Sequence, residues 1–245
     1  MDKKVNVVPI HEGSIYCASS EEWHRKTFGD PEECFKLYCD SKEHNKYGKD
    51  TVHEYIDLLK YGYDGKHKKQ SDHVNRKYKS IANMFGNIIN GNVLDIGSPG
   101  IADMFLLRLI PNIDKIVCID GNKYAVEAFR PHLDPKIESI CCDFSWFPEC
   151  DSNFDTILQI DFPEHITDDL YIKITTWALS KMKNTGKLVI YTPEFPNCVN
   201  QMEHISVKSL GFYLKLFLNM NLFVTYKIIN GRIYMVVFKN GIGLK

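Results

Sequence analysis

Hydrophobic and polar positions follow two different periods along the chain, and the change falls near residue 90. Before it, apolar residues recur at the i, i+3, i+4 and i+7 spacing of a helix with one buried face. This pattern predicts helices over Pro31–Cys39, Thr51–Leu59 and Asp72–Ile89. After it, short apolar runs alternate with amphipathic segments, which indicates strands alternating with helices.

The second region predicts seven strands and four helices. The strands are expected at Asn92–Gly97, Lys115–Asp120, Ile137–Cys142, Phe154–Ile160, Lys187–Thr192, Leu222–Ile229 and Arg232–Phe238. The helices are expected at Asp103–Leu109, Asn122–Phe129, Asp168–Met182 and Val207–Met220.

Such alternation favours parallel strands with helices on both faces of the sheet. Asn230-Gly231 predicts a final antiparallel hairpin. We therefore expect an α/β protein with a doubly wound, seven-stranded, mostly parallel sheet and an antiparallel C-terminal hairpin. We also expect an N-terminal helical accessory or lid region over residues 1–88, followed by the sheet domain over 89–245.

Composition narrows the classes of partner. Thirty basic and 31 acidic side chains give a formal net charge of -1, so no global basic field is present to bind nucleic acid. A local basic patch remains at Lys66–Lys69 with Arg76, Lys77 and Lys79. No signal peptide or membrane-spanning run is seen, and the eight cysteines form no C-x-x-C pair. These features predict a cytoplasmic protein without a membrane partner or structural zinc.

The turn after the first strand gives the strongest chemical signal. A glycine turn behind a buried strand lets the backbone approach a ligand closely. The stretch Asn92–Gly100 resembles the glycine motif of class I S-adenosylmethionine-dependent methyltransferases, and the resemblance continues to about Phe238. It implies a doubly wound fold and S-adenosylmethionine as cofactor, bound near Asp95, Gly97, Ser98 and Gly100. Pro99 departs from the motif, where the family often has its second glycine. The alternative is an ordinary strand-to-helix turn.

Asp120 ends the second strand and is followed by Gly121 and Asn122. A carboxylate at that strand tip can accept both hydroxyls of a ribose. The same geometry serves NAD, and a helix N-cap is a further alternative. The hairpin ending and the missing Gly-x-Gly-x-x-Gly argue against an NAD oxidoreductase.

Two further strand ends match the family. The resemblance implies that Asp143 and Phe144 lie beside the adenine, one accepting from its amine and the other covering its ring. A plain polar strand end is the alternative for Asp143. The end of the fourth strand, from Gln159 to Asp161, would lie by the methionine part of the cofactor.

Two histidines are candidate catalytic bases. Glu164-His165 resembles an acidic–histidine pair that follows the fourth strand in the family, which implies that His165 faces the acceptor. His204 begins a stretch that borders the acceptor in small-molecule methyltransferases, with Ser206 placed to cap the next helix. An imidazole can take the proton from an acceptor hydroxyl. We favour His165 slightly, because Glu164 could orient its ring. The alternatives are a loop brace for Glu164-His165 and a surface histidine for His204.

No metal is expected. The N-terminal histidines lack carboxylates at ligand spacing: His11, His24, His44, His53, His67 and His73. A distributed site that uses Glu164 and His165 stays open, since some quinone-modifying relatives bind a divalent ion in this vicinity.

The resemblance implies an enzyme that transfers a methyl group. We expect O-methylation of a small polar acceptor, such as a sugar or nucleotide-linked sugar, with the aromatic-rich N-terminal region as a lid. A nucleic-acid-modifying methyltransferase is one alternative, although Asp161-Phe162-Pro163-Glu164 stands where amino-methylating DNA enzymes carry Asn/Asp-Pro-Pro-aromatic. A noncatalytic member that binds the cofactor or a partner is another.

Overall fold

The computed structural model describes residues 19–40, 68–150, 153–199 and 204–240. The predicted helix Thr51–Leu59 lies outside these residues, as do most of the aromatic side chains assigned to the lid. No helix in the described part of the chain is both long and apolar enough to cross a membrane.

The described elements are three N-terminal helices, followed by a region in which strands and helices mostly alternate. The helices are α1 (Glu21–Phe28), α2 (Pro31–Asp40), α3 (Lys68–Phe85), α4 (Asp103–Leu109), α5 (Lys123–Phe129), α6 (Asp168–Lys181) and α7 (Leu210–Asn219). The strands are β1 (Gly91–Ile96), β2 (Ile113–Asp120), β3 (Ile137–Cys141), β4 (Phe154–Ile160), β5 (Met182–Pro193), β6 (Phe223–Ile229) and β7 (Arg232–Phe238). Short 3-10 helices cover Arg130–His132 and Pro163–His165.

The strands form one seven-stranded sheet in the order β3-β2-β1-β4-β5-β7-β6. Strands β1 to β5 pair in parallel, whereas β7 runs antiparallel to both β5 and β6. Asn230 and Gly231 join β6 to β7 with positive φ angles of 52° and 70°, as a two-residue hairpin turn requires. The predicted fold class is confirmed.

Helices cover both faces of the sheet, and each face has its own apolar core. Tyr78, Ile81 and Phe85 of α3 join α4 and α5 in one core. Tyr171 of α6 and Phe217 of α7 belong to the other. Helix α3 therefore packs directly on the sheet, although the sequence places it in the accessory region.

Several predicted boundaries are wrong. Helix α7 begins at Leu210 rather than Val207, because Val207 exchanges backbone and side-chain hydrogen bonds with Ser20 and stays extended. Ser209 caps this helix in place of Ser206. Strand β5 takes Met182, which the sequence assigned to the preceding helix.

Two N-terminal helices also differ from the prediction. Helix α3 covers Lys68–Phe85, earlier at both ends than the predicted Asp72–Ile89. Helix α1 was not predicted at all.

Candidate active site

The parallel strands deliver the predicted residues to one edge of the sheet. Ile96, the last residue of β1, lies opposite Ile119 of β2 and Gln159 of β4. Asp120 lies opposite Cys141 of β3. In doubly wound sheets, ligands bind outside the carboxyl ends of the strands.

The turn after β1 is built from two glycines with positive φ. Gly97 has φ of 85°, and its N–H donates to the carbonyl of Ile119 at 2.7 Å. Gly100 has φ of 101° and donates to Ser98 Oγ at 3.2 Å. Between them, the Pro99 carbonyl accepts from Ser139 Oγ at 3.0 Å. Pro99 is thus accommodated in an ordered turn.

We expect Gly97→Ala to destabilise the protein more than Gly29→Ala. Both positions have positive φ, so both variants carry left-handed strain of about 1–3 kcal/mol. An added Cβ at Gly97 would lie 2.5 Å from Phe162 Cδ2, whereas nothing lies within 4 Å at Gly29. Overpacking adds about 1–3 kcal/mol at Gly97 alone. Urea unfolding measures both; equal losses would show that Phe162 moves aside freely.

Asp95 forms a buried acid pair that the sequence did not reveal. Burial raises the pKa of Asp95 well above its usual range, and the neighbouring Asp103 raises it further. Asp103 accepts from Ser98 Oγ at 2.6 Å and from Cys118 Sγ at 3.1 Å. Burial and the neighbouring carboxyl both disfavour charge on Asp95, which favours its neutral acid. Asp103 could have been suspected only from its place in the first turn of α4.

Asp120 is a buried carboxyl at the tip of β2. Its Oδ1 accepts from the N–H of Asn122 at 2.7 Å, and burial raises its pKa to about 6. Asn122 rather than Asp120 caps α5, because its Oδ1 accepts from Tyr124 and Ala125. With Gly121 between them, the two polar residues form one turn. Within the described residues, no hydrogen bond is seen at its second carboxylate oxygen, and the ribose role of Asp120 stays a prediction.

We expect Asp120→Ala to weaken S-adenosylhomocysteine binding by about 1.5–3 kcal/mol, the value of a hydrogen bond to a charged group. Because the carboxylate is the acceptor, affinity for the wild-type protein should be constant above the Asp120 pKa of about 6 and fall below it.

Calorimetry across pH measures both effects, and exposed Asp114 on the same strand provides the control variant Asp114→Ala. An unchanged dissociation constant in folded Asp120→Ala would show that Asp120 only stabilises the turn to Asn122 and does not bind the cofactor.

The Asp143 and Phe144 side chains have opposite environments. Asp143 is exposed, and hydrogen bonds from the hydroxyl and N–H of Ser145 lower its pKa. Phe144 is buried in a left-handed conformation with φ of 62° and packs on Phe162, at 6.1 Å between ring centroids. Phe162 is the ring that fits against Gly97, so Phe144 lies one ring away from the glycine turn.

The Gln159 side chain is bound by neutral groups in the core, whereas the Asp161 side chain is bound by two cations. The Gln159 amide is fully buried, donating to Thr175 Oγ1 at 3.2 Å and accepting from Tyr171 Oη at 3.0 Å. Asp161 has φ of 48° and pairs with Lys77 and Arg232. Burial would raise the pKa of Asp161, but these two cations outweigh it and lower the pKa. Both side chains are therefore already hydrogen-bonded within the protein.

Glu164, His165 and His204 meet at the same edge. The two imidazole rings lie edge to face with centroids 5.0 Å apart. Glu164 is buried, which raises its pKa, and it accepts from Thr192 Oγ1 at 3.0 Å. His204 is also buried, so its interpretation as a surface histidine is wrong.

The His204 ring has a defined tautomer. Its Nδ1 lies 2.8 Å from the carbonyl oxygen of Cys198, which can only accept, so Nδ1 carries the proton. In the neutral ring, Nε2 is then the basic nitrogen. The sequence expected Glu164 to orient the ring of His165. The structure shows that the Cys198 carbonyl orients the ring of His204.

The same three side chains could hold a metal ion. Glu164, His165 and His204 each offer one ligand atom, and these atoms lie within 4.8 Å of one another. Zinc ligands bind at about 2.0–2.2 Å, so they are separated by at most about 4.4 Å.

A buried lysine joins the two segments that carry the histidines. Lys208 is fully buried, and its Nζ donates to the carbonyls of Pro163 at 2.7 Å, Ile166 at 3.2 Å and Ser206 at 2.9 Å. Asp168 lies 3.4 Å from the same nitrogen. Burial lowers the pKa of Lys208 to about 8. Nothing in the residues around it marks this lysine as buried.

The chain matches no family model and no curated protein. Several solved structures do match. A structure of DhpI with SAH is 17% identical, with a TM-score of 0.52 over 77% of this chain and 95% of that one. The plantazolicin methyltransferase BpumL, solved with a monoazolic desmethylPZN analogue and SAH, is 13% identical, with a TM-score of 0.53 over 78% of this chain and 98% of that one.

A putative methyltransferase from Haloferax volcanii, solved with the Trm112 activator, has a TM-score of 0.56 at 14% identity, over 76% of this chain and 97% of that one. This chain has the class I methyltransferase fold. The carboxyl edge described above is where doubly wound sheets bind their ligands, and it is where the sequence predicts them. The roles assigned to individual side chains stay predictions.

Proposed function

We propose that this protein is an S-adenosylmethionine-dependent methyltransferase that methylates an oxygen of a small polar acceptor. The methyltransferase fold supports the reaction class, and similar folds were solved with SAH or with SAM. The observation that supports oxygen as the acceptor atom is the pair of imidazoles, His165 and His204, at the carboxyl edge beside buried Glu164. A hydroxyl loses a proton during methylation, and an imidazole can accept it.

The residues have separate tasks in this proposal. Bound S-adenosylmethionine supplies an electrophilic methyl group on its sulfonium. Asp120 accepts from the ribose hydroxyls, while Gly97 and Gly100 let the backbone approach the amino-acid part. His204 or His165 accepts the hydroxyl proton through a ring nitrogen. Alignment of acceptor and methyl provides much of the remaining rate enhancement.

A sugar or nucleotide-linked sugar remains the preferred acceptor class. Helix α1 supports a lid near the acceptor, because Ser20, which precedes it, binds Val207 next to the His204 segment. Glu21 also accepts from the N–H of Asp168, just after the His165 turn. Trp23 of this helix is 40% exposed, and an exposed indole can stack on a sugar ring.

The function is tested by calorimetry and product analysis. We expect S-adenosylhomocysteine to bind and NAD not to bind. Incubation with S-adenosylmethionine and a panel of sugars, nucleotide sugars and short nucleic acids should give one methyl group on a sugar oxygen, identified by mass spectrometry. NAD binding without S-adenosylhomocysteine binding would contradict the reaction class. Methylation of nucleic acid alone would show that the acceptor is a nucleic acid and not a sugar.

Metal-assisted methyl transfer is a second candidate, favoured by the Glu164, His165 and His204 ligand set. Two imidazoles and a carboxylate suit zinc and similar divalent ions, which lower the pKa of a bound hydroxyl. His204 also hydrogen-bonds a carbonyl through its other nitrogen, as metal-bound histidines do. Turnover that is lost with a chelator and restored by Zn²⁺ or Mg²⁺ would select this candidate over a histidine base.

A further inference from the structure

Lys77 is separated from the basic patch in which the sequence places it. Its neighbours Arg76 and Lys79 are exposed on α3, whereas the Lys77 side chain is only 19% exposed. Lys77 Nζ lies 2.5 Å from Asp161 Oδ2, at the end of β4. The lysine is thus directed to the carboxyl edge of the sheet and away from the surface of the patch.

Arg232 binds the other oxygen of the same carboxylate. It begins β7, opposite Pro193 at the end of β5, and its Nη1 lies 2.5 Å from Asp161 Oδ1. The guanidinium is stacked over the Tyr191 ring at 4.9 Å. Packing on this ring fixes the plane of the guanidinium and so the direction of its N–H groups.

The cluster of Lys77, Asp161 and Arg232 has more positive than negative charge. In the described ranges, Asp161 is the one ion-pair partner of either cation. Asp95 senses the charge of Lys77, but burial raises its pKa well above the usual range and favours the neutral acid. Arg232 has five N–H donors and Lys77 three, so donors remain after Asp161 is bound.

The cluster of Lys77, Asp161 and Arg232 lies at the edge of the sheet where the sequence predicts that the cofactor binds. Asp161 follows β4 directly, and its N–H donates to the Tyr191 carbonyl at 2.8 Å. Strand β4 pairs with β1 up to Ile96, next to the glycine turn. The sequence expected the strand end from Gln159 to Asp161 to lie by the methionine part of the cofactor, where an unpaired Asp161 would present negative charge. With two cations on that carboxylate, the cluster itself carries a net positive charge, and the nearby Glu164, which Arg232 also senses, is buried with a raised pKa.

We propose that Lys77 and Arg232 form a subsite for a small oxyanion, with Asp161 holding the two cations in place. The inference rests on the proposed function for the identity of the anion. That anion is either the carboxylate of the cofactor's amino-acid part or an anionic group of the acceptor. Planar guanidinium groups suit carboxylate and phosphate alike.

The first experiment tests the cofactor carboxylate. Calorimetry compares S-adenosylhomocysteine with its decarboxylated analogue for the wild type, Lys77→Met, Arg232→Met and the exposed control Lys79→Met. We expect the wild type and Lys79→Met to prefer the carboxylate by about 10- to 100-fold, as for hydrogen bonds to charged groups. Lys77→Met and Arg232→Met should lose most of this preference, and Lys77→Arg should keep it. Lys77→Gln and Arg232→Lys replace any variant that fails to fold.

The second experiment tests an acceptor anion. Inorganic phosphate is titrated into the protein saturated with S-adenosylhomocysteine. Phosphate binding by the wild type and Lys79→Met, lost in Lys77→Met and Arg232→Met, would assign the subsite to the acceptor. If the folded variants match the wild type in both experiments, the cations only brace Asp161 and the inference is overturned.

The two experiments also separate this inference from the proposed function. A wild-type protein that binds no S-adenosylhomocysteine contradicts the proposed function. Phosphate titration of the free protein and its variants then still decides the subsite.

Discussion

Replacing the catalytic base with alanine is expected to lower turnover by about 10²–10⁴-fold, the usual contribution of general-base catalysis. We now expect the larger loss for His204→Ala, because Cys198 fixes its tautomer and leaves Nε2 as the basic nitrogen. His165→Ala should show a smaller loss if His165 packs against the His204 ring without taking the proton itself. Binding of S-adenosylhomocysteine should barely change in either variant, since neither imidazole is assigned to the adenosine.

The measurement is turnover and S-adenosylhomocysteine affinity for both single variants and the double variant. His132 is exposed on a separate 3-10 helix, so His132→Ala is the matched control. Near-normal turnover in the double variant would rule out both histidines, and the reaction would then depend on alignment or on a base from another segment. A chelator that mimics His204→Ala in the wild type would instead identify a metal-dependent step.

The sequence predicted the fold well because the strands are buried and therefore strongly apolar. The strands Phe154–Ile160 and Arg232–Phe238 and the helix Asp103–Leu109 were predicted to the residue. Parallel pairing then brings Ile96, Ile119 and Gln159 to one edge, so the location of the site follows from the strand order alone.

The partners of individual side chains could not be predicted in the same way. Gln159 looks like a polar residue at a strand end, yet Thr175 and Tyr171 take its amide into the core from the next helix. Asp161 looks like a ligand-facing carboxylate, yet Lys77 arrives from 84 positions earlier in the chain to neutralise it. These pairs depend on tertiary packing, which hydrophobic periodicity does not encode.

The helix expected from Val207 failed for a related reason. Val207 and Lys208 lie in an amphipathic run, but Ser19 and Ser20 pair with them as an extended segment. Local propensity is weak, and a few long-range hydrogen bonds outweigh it. The same extended segment contains Lys208, a fully buried cation.

Lys208→Met is expected to lower the free energy of unfolding by about 3–5 kcal/mol, the loss found when one partner of a buried ionic cluster is removed. Methionine keeps most of the side-chain volume, but the cation is lost from the rings of Tyr171 and Phe212, whose centroids lie 5.2 and 5.8 Å from Nζ. The carbonyls of Pro163, Ile166 and Ser206 lose their shared donor, and Asp168 loses a nearby cation.

Urea unfolding followed by circular dichroism measures this loss. Lys215 is exposed on α7, and Lys215→Met should stay within about 0.5 kcal/mol of the wild type. Because Lys208 joins the turn of His165 to the segment of His204, Lys208→Met should also reduce turnover while S-adenosylhomocysteine still binds. If stability falls by less than about 1 kcal/mol, water satisfies the three carbonyls. Unchanged turnover as well would show that the two histidine segments hold their positions without Lys208.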